Sequence, residues 1–276
     1  MPDTALGQDI DYVDAEVNYV VDDGIPLVMY VDWPEREHEA HMPTYEQHVV
    51  RMWNGRKSDE NFQLGVHGFG FVNRATAVGN FYDGDEVKRV YYPEVAALIA
   101  EHSGATHVEV FDHTIRAADQ NIVEEQHVRK PVMGAHNDYT DASARRRLRD
   151  ILPEEADELL TRRFAIIQVW RPIVAPVEMD PLGICDGRTI PAQGFVKLQR
   201  RYPYRTAETF HIAFHPDHKW FYFPTMTPSE AIVFKVFDSD ASAGPRFTAH
   251  SAFVDPTSLP DARPRESIEM RALAFF

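Results

Sequence analysis

The chain has 276 residues, 44% of them hydrophobic and 12% aromatic, enough to bury one large core. Its formal net charge of −15 at pH 7 argues against nucleic-acid binding, which depends on Lys and Arg to neutralise phosphates. A single cysteine, Cys185, excludes an internal disulfide framework and any Cys-rich zinc or iron–sulfur site, and reads as a buried thiol.

No run approaches the ~18–20 apolar residues that span a bilayer. The acidic stretch Met1–Asp11 has neither the basic nor the apolar region of a signal peptide, so a cytoplasmic protein without membrane contact is expected. There is no internal repeat, and the 19 prolines are spread along the chain. One continuous domain over 1–276 follows, with helical additions around 85–102 and 140–163.

Glu16–Val21 reads as a strand, Asp22-Asp23-Gly24 as a turn and Pro26–Val31 as a second extended run. Residues 34–60 are polar and carry His38, His41 and His48; the first two have metal-ligand spacing, but nothing nearby completes a site. Phe62–Val72 reads as a strand with glycine breaks. Asp85–His102 reads as a helix, kinked at Pro93 and stopped by Gly104. Thr106–Arg116 has the β-branched content of a strand and leads into a polar loop of about fifteen residues, long enough to suggest a function.

Past that loop comes Ala135-His136-Asn137-Asp138-Tyr139-Thr140, after which Thr140 or Asp141 can cap a helix crowded with Arg145, Arg146, Arg147 and Arg149. Those arginines suit either an anion or, more plainly, a solvated face paired to acids. Pro153-Glu154-Glu155 opens a second helix running to Arg163. Seven strands then follow: Phe164–Trp170, Phe195–Arg201, Thr206–Phe214, His218–Phe223, Ala231–Asp238, Arg246–Phe253 and Ser267–Phe276. Short strands punctuated by Pro, Gly, Asp and Ser predict a mainly β sandwich or barrel with flanking helices.

On an extended segment residues i and i+2 share a face, so His136 and Asp138 can offer an imidazole and a carboxylate to one metal. A further histidine on a late strand would complete the 2-His-1-carboxylate triad of non-haem Fe(II) oxygenases. His250, followed by a loop and one last strand, suits that role best. His211, His215 and His218 compete, although their neighbours Pro216 and Trp220 suggest turn and strand-surface positions. Three such ligands leave room for a bidentate co-substrate and O2. A zinc hydrolase on the same triad is the competing metal reading. Iron is favoured by the arginines that follow His250, because the planar guanidinium fork suits the distal carboxylate of 2-oxoglutarate. Arg265 is the first choice for this contact and Arg271 the second.

Several stretches resemble, in this order, the hydroxylase/desaturase family of AsaB-like, gibberellin GA4 desaturase-type and CmcJ-like proteins. They are Val110–Arg116, Ala135–Thr140, Val169–Ile173, Trp220–Pro224 with Met226-Thr227-Pro228, Phe234–Ser239, Thr248–Phe253 and Pro264–Ala272. The resemblance implies a double-stranded β-helix (jelly-roll, cupin-like) core. It also implies Fe(II)- and 2-oxoglutarate-dependent oxidation of a natural-product intermediate, with His136, Asp138 and His250 as iron ligands. In the implied chemistry 2-oxoglutarate and O2 yield succinate and CO2, and a hydrogen is removed from a C–H bond. Hydroxylation, desaturation or cyclisation follows. Tyr139, Trp170, Arg171, Arg116 and Lys235 are candidate contacts for the small-molecule substrate. An iron oxidase that does not use 2-oxoglutarate and a non-catalytic β-barrel binding protein are the remaining alternatives, and a homo-oligomer is left open.

Overall fold

The computed structural model describes residues 10–174 and 176–276, so most of the acidic N-terminal stretch lies outside the described residues. In chain order the strands begin with β1 (Tyr12–Val20), β2 (Leu27–Tyr30), β3 (Tyr45–Asn54), β4 (Phe69–Asn73), β5 (His107–Ala117), β6 (His136–Asn137) and β7 (Phe164–Pro172). They continue with β8 (Leu182–Cys185), β9 (Phe195–Tyr202), β10 (Arg205–Ile212), β11 (Trp220–Tyr222), β12 (Glu230–Asp238), β13 (His250–Ala252) and β14 (Glu266–Phe275).

Two sheets result, in the orders β1-β3-β11-β8-β13-β6-β10-β9-β2 and β4-β12-β7-β14-β5. From β5 to β8, and again from β11 to β14, successive strands fall in alternate sheets. That winding is a double-stranded β-helix, in which two facing sheets enclose one core. The hairpin of β9 and β10 widens the larger sheet beyond the helix proper.

The alternation within each strand sorts its side chains into layers. Along β7, Phe164, Ile166 and Trp170 join the core between the sheets, with Ile184 and Leu182 of β8 and Phe221 of β11. Ala165, Ile167 and Val169 face the other way, onto Val95, Leu98 and Ile99 of the Tyr92–Ser103 helix. With both faces covered, β7 reads as the nearly unbroken apolar run FAIIQVWRP. Gln168 interrupts that run, and on β14 Glu269 and Arg271 do the same; all three fall on the inward face.

The helix around 85–102 forms as expected, with a π-turn over Val87–Tyr91 ahead of Pro93 and a left-handed Gly104 (φ 76°) closing it. Four expectations need correction. The stretch 34–60 contains β3, which pairs with β1 along its whole length; its side chains largely face water, so apolar alternation does not mark it. Strand β8 is four residues long, with Gly183 where a side chain would press on Met52 and Phe253. It is too short to show a period. Of Phe62–Val72 only Phe69 onward is strand, because the chain turns at Gly68 (φ 86°). The helix expected up to Arg163 is reduced to Ala156–Leu159. Cys185 is fully buried, and burial pushes its thiol up to about 12, which keeps it inert.

Candidate metal centre

His136 in β6 is in register with His250 of β13 on one side and His211 of β10 on the other, so three histidines form a row across adjacent strands. Asp138 follows directly. One donor atom from each of His136, Asp138 and His250 lies within 4.8 Å of the others. His136 Nε2 is 3.6 Å from Asp138 Oδ1, and the two imidazole centroids are 4.3 Å apart.

Local structure holds this convergence in place. Thr140 caps the Asp141–Ile151 helix: its Oγ accepts from Ser143 N–H at 3.1 Å, and Ser143 Oγ accepts from Thr140 N–H at 2.9 Å. Asn137, between the two proposed ligands, donates to the carbonyls of Tyr139 (2.7 Å) and Val236 (2.9 Å). Its own oxygen accepts from Thr248 N–H, two residues before His250. A single amide therefore ties the Asp138 loop to both sheets and to the third ligand's strand.

The protonation pattern suits a cation. His136 Nδ1 is 2.7 Å from the Gly134 carbonyl, which can only accept, so Nδ1 carries the proton and the Nε2 lone pair faces Asp138. Burial pushes the pKa of both His136 and His250 down to about 4, leaving them neutral near pH 7. Burial alone would raise the Asp138 carboxyl, but the Arg271 guanidinium and the two imidazoles outweigh it and hold the group well below the usual carboxylate range. A nitrogen of each imidazole and a carboxylate oxygen thus lie within 4.8 Å of one another. This mixed N/O donor set fits Fe(II).

The arginines separate by position. Arg265, at the mouth of β14, is 3% exposed; its guanidinium lies 5.4 Å above the Trp170 ring and donates to the Asp180 carbonyl. Its Nε has no partner among the described residues, and burial lowers its pKa to about 10. Arg271 is heavily engaged: its Nε donates to Asp138 Oδ2 (3.2 Å), its Nη1 to Asp112 Oδ1 (2.9 Å) and Thr114 Oγ1 (2.9 Å), and its Nη2 to Glu269. It belongs to the surroundings of Asp138, whereas Arg265 has a buried Nε with no partner among the described residues.

Of the candidate substrate contacts, Tyr139 and Trp170 lie in the core between the sheets, and Arg116 shares the inward face of β5 with Asp112 and Thr114. Arg171 and Lys235 do not belong to this group. Arg171 points to the helix side of β7, where it donates to Tyr91 Oη (2.9 Å) and to the carbonyls of Arg74 (2.8 Å) and Pro228. Lys235 pairs with Asp238 at 3.1 Å and donates to the Ala243 carbonyl. Their parity along the strand turns them away from the triad.

His211 also differs from expectation. It is 8% exposed rather than on a turn or surface; Tyr45 Oη lies 2.9 Å from its Nδ1, and its Nε2 has no partner among the described residues. Gln168, Glu269, Asp112 and Thr114 were not singled out in the sequence. Their only trace in the sequence is a polar residue inside an otherwise apolar strand, as at Gln168 in FAIIQVW and Glu269 in SIEMRA, which by itself assigns no role. The basic helix carries the plainer of its two readings: Arg145 pairs with Asp141 at 2.8 Å, and Arg147 lies over the Phe111 ring.

A jelly-roll core carrying two histidines and a carboxylate at one internal point defines the class of non-haem metal oxygenases. Comparisons with known proteins are consistent with this and more specific. The family model described as "Oxidoreductase/YMDC permease-like domain" matches residues 15–275; among the described residues no helix is long and apolar enough to cross a membrane. The chain is 34% identical to the hydroxylase/desaturase CTB9 of Cercospora beticola, over 96% of this chain and 87% of that protein. It is 34% identical to the Fe(II)/2-oxoglutarate-dependent dioxygenase nvfI of Aspergillus novofumigatus, over 83% of each chain. The solved structure of the iron and alpha-ketoglutarate-dependent endoperoxidase NvfI superposes with a TM-score of 0.85 at 30% identity, covering 96% of this chain and 98% of that one. The chain belongs to the family of Fe(II)/2-oxoglutarate-dependent hydroxylase/desaturase enzymes, non-haem oxygenases that act on small molecules. The zinc hydrolase and the silent binding barrel are thereby set aside.

Proposed function

We propose that His136, Asp138 and His250 hold Fe(II), that 2-oxoglutarate and O2 are the co-substrates, and that Arg265 takes the distal carboxylate of 2-oxoglutarate. The observation that carries this reading is the convergence of donor atoms from two imidazoles and a carboxylate within 4.8 Å. Three buried or half-buried arginines, Arg116, Arg265 and Arg271, lie around the site and suit an anionic co-substrate.

When bound, the iron with 2-oxoglutarate and O2 supplies the oxidant that removes hydrogen from a C–H bond. The chain's own residues bind, orient and dry the site. Arg265 offers its fork over Trp170, and Phe234 packs 4.9 Å from the His250 ring and keeps water from that flank. Tyr139, whose hydroxyl burial pushes up to about 12, stays protonated as a neutral wall beside Asp138. Arg116, Trp170 and Tyr139 line the space for a small natural-product intermediate, on which hydroxylation, desaturation or cyclisation ensues. A single oxygenase domain over the whole chain carries this chemistry.

The test is anaerobic reconstitution with Fe(II), followed by O2-dependent conversion of 2-oxoglutarate to succinate. Asp138→Ala is expected to lose bound iron and to lower turnover at least about a hundredfold. A zinc-loaded protein that works without oxygen would overturn the reading.

A further inference from the structure

The two oxygens of Asp138 have different surroundings. Oδ1 is the one turned to His136 Nε2, at 3.6 Å. Oδ2 receives Gln168 Nε2 at 2.7 Å and Arg271 Nε at 3.2 Å. Neither donor is free to leave. Gln168 is completely buried on the inward face of β7, opposite Arg271 on β14. Arg271 is braced on its far side by Asp112, Thr114 and Glu269, each of which takes one of its remaining N–H groups.

A free carboxylate can grip a metal through one oxygen or both, and the second mode fills a position that the co-substrate or O2 needs. We propose that Gln168 and Arg271 are positioning residues for Asp138. By saturating Oδ2 they make the carboxylate a one-oxygen ligand and keep the neighbouring coordination position open. The inference rests on the metal reading above and deepens it. It also gives Arg271 a role distinct from that of Arg265: the first shapes the ligand, the second receives the co-substrate. The residue types suit the task, since a glutamate at 168 would repel Asp138 and an apolar residue would leave Oδ2 half satisfied. Outer partners of this kind change metal affinity by about 10–100-fold when removed.

The experiment uses Co(II) as an oxygen-stable probe, with wild type, Gln168→Met, Arg271→Gln and Asp138→Ala, each checked for an intact thermal transition. Calorimetric titration in the absence of 2-oxoglutarate is expected to show Co(II) binding weakened about tenfold in Gln168→Met and about 10–100-fold in Arg271→Gln. The visible Co(II) bands should also shift, because a second carboxylate oxygen then takes the place of a bound water. Unchanged Co(II) affinity in both variants overturns the inference, whether or not Arg271→Gln loses 2-oxoglutarate binding. Weakened binding with an unaltered spectrum also overturns it, because general loosening of the core would act in that way. If removing the Arg271 charge unfolds the protein, Gln168→Met decides alone. If wild type binds Co(II) no better than Asp138→Ala, it is the metal reading that fails.

Discussion

At the scale of single residues, the site depends on which polar groups the interior leaves uncommitted. Four of the five N–H groups of Arg271 are taken, one of them by Asp138, whereas Arg265 is buried with an unpartnered Nε. Charge-assisted hydrogen bonds to a carboxylate are worth about 1.5–3 kcal/mol. Arg265→Gln is therefore expected to weaken 2-oxoglutarate binding to the Co(II)-loaded protein about 10–100-fold while leaving Co(II) affinity unchanged. Isothermal titration separates the two, and a loss of metal affinity would remove Arg265 from the co-substrate role. His136, Asp138 and His250 were legible in the sequence because their types and order carry the chemistry. Gln168 and Glu269 were not, because a polar residue inside an apolar strand acquires meaning only from what faces it across the barrel.

At the scale of elements, β6 is two residues long and cannot hold its own geometry. The Asn137 amide supplies what a longer strand would, joining the Tyr139, Val236 and Thr248 backbones. Asn137→Ala leaves two buried carbonyls and an N–H without this partner, at roughly 1–3 kcal/mol for each buried group left unpaired. A fall in stability of at least about 3 kcal/mol is expected in urea unfolding, together with weaker Co(II) binding as Asp138 drifts from His250. Unchanged metal binding in a destabilised protein would reduce Asn137 to a structural role. The same scale explains the strands that were missed. Strand β3 shows no apolar face because most of it is solvated, and β8 is a stretch of four residues with a glycine where Met52 and Phe253 leave little room for a side chain.

At the scale of the whole molecule, stability carries a pH dependence of predictable sign. His218 is buried against Tyr19, stacked at 5.6 Å between ring centroids, and burial pushes its pKa down to about 4. His215, 5.9 Å away, lowers it further, and Asp217 raises it only in part. Because the folded pKa lies below the unfolded one, the unfolded chain binds more protons between the two values. The stabilisation is complete above about pH 6.5 and is lost as pH falls toward 4. Unfolding free energies from urea titrations at pH 7.5 and 5.0 should differ less for His218→Gln than for wild type, by on the order of 1–2 kcal/mol. An equal difference would mean that His218 is solvated.

The sequence by itself determined the class of fold and singled out His136, Asp138 and His250, which converge in the structure. Strand patterning is a local, period-two property, and the His136-Asn137-Asp138 spacing lets an imidazole and a carboxylate share one face. Only the tertiary structure decided how the arginines divide their work, that Arg171 and Lys235 face away from the site, and that His211 lies beside it. Those outcomes depend on strand parity, register and facing partners across two sheets, and a one-residue change in register would reverse each of them.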